Sequence, residues 1–289
     1  MRLWHIPARI CCFHDHNPRR KSGIVVAPEL HAHTMPLRHL LLSSVLLCTA
    51  LCAAAADLPA TIATVKASVV GIGTYQRTRS PATVFVGTGV VLDDGLSVIT
   101  NAHVVPEFPD TEHMEVLGVV IAGQGTAFEF RPATLVAMDR EHDLAHLRLS
   151  GAPLPALKLG DSGQMREGRD LAFTGFPLGM VLGLHHATHR AVLAAITPVI
   201  LPSANSRQLN ARSVAQLQRT PFNIFQLDGT AYPGNSGSPV YDPADGTVYA
   251  IVNMVFIKGL KETAITSPSG ITYAIPAQYV KELLQRKVP

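Results

Sequence analysis

Cysteine is absent from everything beyond residue 52: Cys11, Cys12, Cys48 and Cys52 are the only four. A fold built after them has no disulfides and must be held by core burial alone. Histidine is missing from the last hundred residues, since the final one is His189. This excludes any site whose histidine base has to follow a nucleophile in that region. Charge is also scarce, 16% of residues against 47% hydrophobic, the balance of a well-packed globular chain. The formal net charge of +3 is local to the start. Six of the 24 basic and two of the 21 acidic residues fall in residues 1–56, which leaves 18 against 19 beyond them. No nucleic-acid footprint survives that division.

Residues 1–34 show no periodic pattern. They carry His14, His16, His31 and His33 besides the Cys11-Cys12 pair. We read them as an upstream segment, non-native or disordered, with a metal-binding histidine tract as the alternative. Met35 then becomes the expected initiator. A basic start at Arg38-His39, an apolar stretch from Leu40 and an exit through Ala53-Ala54-Ala55-Ala56 predict a signal peptide over 35–56, cleaved near Ala56. The expected location is periplasmic or secreted, with no stable membrane anchor after cleavage; an uncleaved anchor is the alternative.

The rest reads as short strands. Ile62 to Lys66 is a helical lead-in, and Ser68–Tyr75 and Thr83–Leu92 are rich in β-branched residues. Asp93-Asp94-Gly95 turns the second into Leu96–Thr100. Met114–Ile121, Phe128–Val136 and Asp143–Leu149 follow, the last with Asp143, Ala145, Leu147 and Leu149 on one face. A second set comprises Asp170–Pro177, Ala191–Thr197, Phe222–Leu227, Pro239–Tyr241, Val248–Val255 and Ile271–Ala274. Gln278–Lys287 is an amphipathic C-terminal helix, and 202–220 is a polar surface insertion. These runs predict an all-β chain of two barrels or sandwiches, 57–155 and 156–289.

Within the second set, Pro233-Gly234-Asn235-Ser236-Gly237-Ser238-Pro239 places a serine between glycines. Glycine admits backbone conformations closed to other residues and lets a carbonyl approach. Such a turn can aim a hydroxyl and two N–H groups at one atom, as acyl transfer requires. A serine in a plain Gly/Pro turn is the bland alternative. The base must precede Ser236, which argues against the α/β-hydrolase order of serine, acid, histidine. His103, at a strand end in Thr100-Asn101-Ala102-His103, is the best candidate base. Asp143 is the best orienting acid, because an ionised carboxylate on a buried strand face needs a partner. Asp139, in the polar run Met138-Asp139-Arg140-Glu141, is the runner-up and reads more simply as an exposed turn residue.

Thr100–Val105, Asp143–Leu147 and Pro233–Pro239 together resemble the three catalytic blocks of the HtrA/Deg branch of trypsin-like serine proteases. Gly87-Thr88-Gly89, Leu159–Ser162, Gly175–Gly179 and Tyr273–Pro276 add to the match. The resemblance implies a chymotrypsin-like double β-barrel and a serine endopeptidase, without a cofactor. In it His103 is the base, Asp143 its orienter and Ser236 the nucleophile. The N–H groups of Gly234 and Ser236, with Asn235 shaping the loop between, form the oxyanion hole. Ile251, Val252 and Asn253 would bind substrate as an added strand, with Tyr273 and Thr230 lining the site. Thr230, six residues before the serine, is uncharged, so small or medium apolar side chains fit better than Lys or Arg. The expected partners are unfolded or misfolded polypeptides, and an oligomer is not derivable.

Two departures stand out. Ser238 replaces the second glycine after the serine, which would narrow the pocket, and the reading is of a member without a PDZ domain. A protease-fold chaperone or peptide-binding module with little turnover is the alternative function, and an esterase would use the same triad. His185-His186-Ala187-Thr188-His189 reads as a histidine-rich loop near the cleft rather than a metal site.

Overall fold

The computed structural model describes residues 57–106, 110, 112–123, 127–179, 183–199, 222–253 and 270–286. The expected leader at 35–56, the segment 1–34 and the insertion 202–220 lie outside them. Among the described residues, no helix is long and apolar enough to cross a membrane.

Among the described residues, twelve strands form two closed antiparallel barrels of six. Helix α1 (Leu58–Lys66) leads into the first barrel, whose strands are β1 (Val69–Tyr75), β2 (Thr83–Leu92), β3 (Ser97–Thr100), β4 (Val116–Ala122), β5 (Phe128–Asp139) and β6 (Leu144–Leu149). They close in the order β1-β2-β3-β6-β5-β4. The second barrel holds β7 (Asp170–Gly175), β8 (Ala187–Pro198), β9 (Asn223–Asp228), β10 (Pro239–Tyr241), β11 (Val248–Asn253) and β12 (Ile271–Pro276), and helix α2 (Ala277–Gln285) follows it. Its closure runs β10-β11-β12-β9-β8-β7.

Closing six strands requires local bends, and register shifts supply them at Ile72/Gly73, Leu135/Ala137 and Leu193/Ala195. The two-residue period then sorts side chains into three layers. Val70, Ile72, Val98, Ala145 and Leu147 fill the first barrel. Phe173, Leu193, Phe225, Leu227 and Val252 fill the second. The alternate faces, Leu92, Ile99 and Leu144 from one barrel and Tyr241, Ile251 and Ile275 from the other, meet in a third layer that Val65 of α1 and Val280 and Leu283 of α2 complete. Burial of this shared layer welds the barrels together.

Three local expectations change. Strand β6 starts at Leu144, and Asp143 lies in the turn before it with φ +54. Strand β8 starts at Ala187, so His189 belongs to a strand rather than a loop. Asp139 is a buried strand end, only 3% exposed, rather than an exposed turn residue.

Candidate active site

Strand β3 ends in a short 3₁₀ turn, Ala102–Val104, that carries His103 off the barrel. The β5–β6 turn brings Asp143 beside it, and the loop between β9 and β10 brings Ser236 from the other barrel. His103 Nδ1 lies 2.6 Å from Asp143 Oδ2, and His103 Nε2 lies 3.0 Å from Ser236 Oγ. The carboxylate can only accept, so Nδ1 carries the proton and Nε2 is left to accept from the serine hydroxyl. The three side chains picked from the sequence therefore form one continuous line of hydrogen bonds, from positions 40 and 133 residues apart.

Asp143 is held on every side. Its Oδ1 accepts from the His103 backbone N–H at 2.9 Å, and its Oδ2 also accepts from Asn253 Nδ2 at 2.8 Å. Its carbonyl takes the Ala102 N–H and Asn101 Nδ2, both at 3.0 Å. A non-glycine residue in the left-handed region carries strain and persists only where its surroundings over-determine it. These bonds supply part of that constraint.

The serine turn is fixed from beneath. Thr88 of β2 donates its N–H to Ser236 O at 2.8 Å and its Oγ1 to Gly234 O at 2.6 Å. Gly237, at φ +90, sits so close to Thr88 that a Cβ there would fall 1.9 Å from the Thr88 carbonyl oxygen, so no larger residue fits. Leu178 N–H holds the Pro233 carbonyl at 2.7 Å, and Ser238 N–H holds the Asn235 carbonyl at 3.0 Å. In a trans peptide the N–H points opposite its carbonyl, so the Gly234 and Ser236 N–H groups face away from these donors. Among the described residues neither N–H has an acceptor.

Ser238 is fully buried, with Oγ 2.0 Å from where a Cβ on Gly175 would stand. Its extra atoms occupy the space Gly175 leaves and do not face a substrate pocket.

The proposed substrate strand comes out differently. Ile251 and Val252 are fully buried in separate core layers. Strand β11 is also paired on both sides, Ile251 with Pro239 of β10 and with Ile275 of β12. Neither residue offers a side chain or a free strand edge. Asn253 is fully buried as well, and its amide serves Asp143. Periodicity marks a strand but does not say whether its edges are taken. Tyr273 is half-buried on β12 opposite Asn253. Thr230 is half-buried in the segment after β9, which Thr272 ties down by accepting the Ala231 N–H at 2.9 Å and donating to Gly229 O at 2.6 Å.

The histidines past Gly183 have separate tasks. His186 Nε2 donates to Val69 O at 2.9 Å, its ring 4.3 Å from Phe176, while His189 stacks on Phe173 at 4.8 Å. Burial lowers the pKa of both and favours the neutral rings.

The Trypsin-like peptidase domain family matches residues 87–251. Among curated relatives, the mitochondrial serine protease HTRA2 of Drosophila pseudoobscura pseudoobscura is 32% identical over 210 residues, covering 71% of this chain and 40% of the relative. HTRA2 of Drosophila willistoni is 31% identical over 206 residues, covering 71% and 39%. The chain thus spans about two fifths of the length of the curated relatives it matches. Among solved structures, the active form of the Rv3671c protease from M. tuberculosis aligns with a TM-score of 0.55 at 21% identity, covering 79% of this chain and 86% of that one. The HtrA-type protease AlgW with tripeptide aligns at 0.52 and 22%, covering 79% and 62%. With the family match spanning more than half of the sequence and both barrels in place, the chain belongs to the trypsin-like peptidase family, with HtrA proteases among its relatives.

Proposed function

We propose that this protein is a serine endopeptidase whose nucleophile is Ser236, with His103 as general base and Asp143 as its orienter. One observation carries the reading: the unbroken hydrogen-bonded line from Asp143 through His103 to Ser236. Ser236 Oγ attacks a peptide carbonyl while its proton passes to His103 Nε2, and Asp143 stabilises the imidazolium that results. The oxyanion turns to the N–H groups of Gly234 and Ser236, which point away from the Leu178 and Ser238 donors. His103 then protonates the leaving amine, and the acyl-enzyme is released by water that His103 activates.

Unfolded polypeptide is the substrate class we favour; the HtrA-type protease AlgW has been solved with a tripeptide and, as a variant, with a decapeptide. An uncharged Thr230 supports cleavage after small or medium apolar side chains. The 35–56 segment supports export to the periplasm or beyond, and we place the barrel boundary near 155/156. Asn235 has no charge with which to pair a new N-terminus, so removal of the leader suffices for activity. Activity appearing only after a further N-terminal cut overturns that point. The main test incubates the chain purified after loss of its leader with denatured casein beside Ser236→Ala. Turnover in the first alone, with a fluorophosphonate label on Ser236, supports the reading. Peptide binding with neither turnover nor label points instead to a binding module.

A further inference from the structure

We propose that Asp139 is a positioning residue for the site, and that the C-terminal helix reaches the Asp143 turn through it. The inference rests on the protease reading above. Asp139 ends β5 directly across from Leu144, the first residue of β6, so residues 140–143 form the whole turn that delivers Asp143. Its Oδ1 accepts the backbone N–H groups of Glu141 at 3.0 Å and His142 at 3.1 Å. Its Oδ2 accepts from His142 Nδ1 at 2.8 Å and from the Arg286 guanidinium. One buried carboxylate thereby fixes two of the turn's backbone groups and the side chain next to Asp143.

The helix grips the same turn twice. Tyr279, in the first turn of α2, stacks on the His142 ring at 4.0 Å and 17°, while Phe222 meets that ring edge-on at 4.5 Å. Arg286, the residue after α2 ends, makes the ion pair. Asp143, which follows His142 in the turn, has φ +54. Bonds from Asn101 and Ala102 restrain its carbonyl, and the Asp139 network restrains the chain entering it. Loosening that entry lets the strained residue relax and withdraws its carboxylate from His103. A shift of about 1 Å at a catalytic group can cost about a hundredfold in rate.

The test compares kcat and KM for Arg286→Ala, Arg286→Lys, Asp139→Asn and Asp139→Ala in the chain purified after loss of its leader. We expect kcat to fall about tenfold in Arg286→Ala and Asp139→Asn and about a hundredfold in Asp139→Ala. KM should stay within about twofold throughout, and Arg286→Lys should recover most of the loss. Arg286 is half exposed, so its variants decide the matter even if Asp139→Ala does not fold. The low-field proton resonance of His103 Nδ1–H gives a readout independent of turnover. Its weakening in Arg286→Ala supports the inference even if the wild type cleaves nothing, which would sink the protease reading alone. An unchanged resonance, or an unchanged kcat beside a lowered melting midpoint, makes the network purely structural and overturns the inference.

Discussion

Among the described residues, three aspartate–histidine pairs share one geometry. In Asp110–His113, Asp139–His142 and Asp143–His103, one carboxylate oxygen takes the histidine's backbone N–H and the other lies 2.6–2.8 Å from its ring Nδ1. The first two are made between residues three apart, and the third between residues forty apart. What differs is the far side of each ring. His113 is open to solvent, His142 lies against Tyr279 and Phe222, and His103 Nε2 meets the Ser236 hydroxyl. The pair itself is a turn-capping device, and it becomes part of a reactive site only through the group at the other nitrogen.

Replacing each aspartate in turn tests that comparison. Asp143→Asn should cost the most, about 10⁴-fold in kcat, because a neutral amide no longer selects the tautomer with a free Nε2. Asn253→Ala removes a bond to the same carboxylate; hydrogen bonds to charged groups contribute about 1.5–3 kcal/mol, so kcat should fall about ten- to a hundredfold. Steady-state kinetics on casein-derived peptides checks both.

Asp139 should show itself in the pH dependence of stability. Burial alone would raise its pKa, but the His142 bonds and the Arg286 charge outweigh it and leave the carboxyl below its ordinary value of 3.8. A carboxyl depressed in the folded state contributes stability that is fully present above its unfolded value and is lost as pH falls through the folded one. As pH falls through 3.8 and below, the wild-type melting midpoint should therefore drop more steeply than that of Asp139→Asn. Asp110→Ala should have the smallest effect, leaving both kcat and the melting midpoint unchanged, since that pair stands in water. A measurable kinetic defect there would break the comparison.

The barrels, and His103 and Ser236 of the hydrogen-bonded line, were legible because each rests on short-range pattern: β-branched runs, the glycines around Ser236, the strand end at His103. Where the sequence misled, a partner or a backbone angle lay far outside any local window. Period-two alternation put Asp143 on a strand, yet nothing in Glu141-His142-Asp143 announces a left-handed aspartate. Asp139 stands next to Arg140 and Glu141 and so reads as exposed. Its partner Arg286 is 147 residues away. Asn253 was singled out for substrate contact, but its buried amide faces Asp143, an assignment that depends on how two barrels meet. Thr88 lay inside a glycine-rich match and gave no sign of which carbonyls it would hold.

Thr88 also ties the Ser236 turn to the first barrel. The first barrel grips the nucleophile loop of the second at two carbonyls, and Gly237 lies against the Thr88 backbone with no space to spare. Swinging the barrels apart to admit a chain would tear out the very bonds that aim the hydroxyl. On the proposed function, a substrate chain would therefore have to be admitted with this seam shut. For the same reason the second half, made on its own, would lack the Thr88 bonds that hold the Ser236 turn.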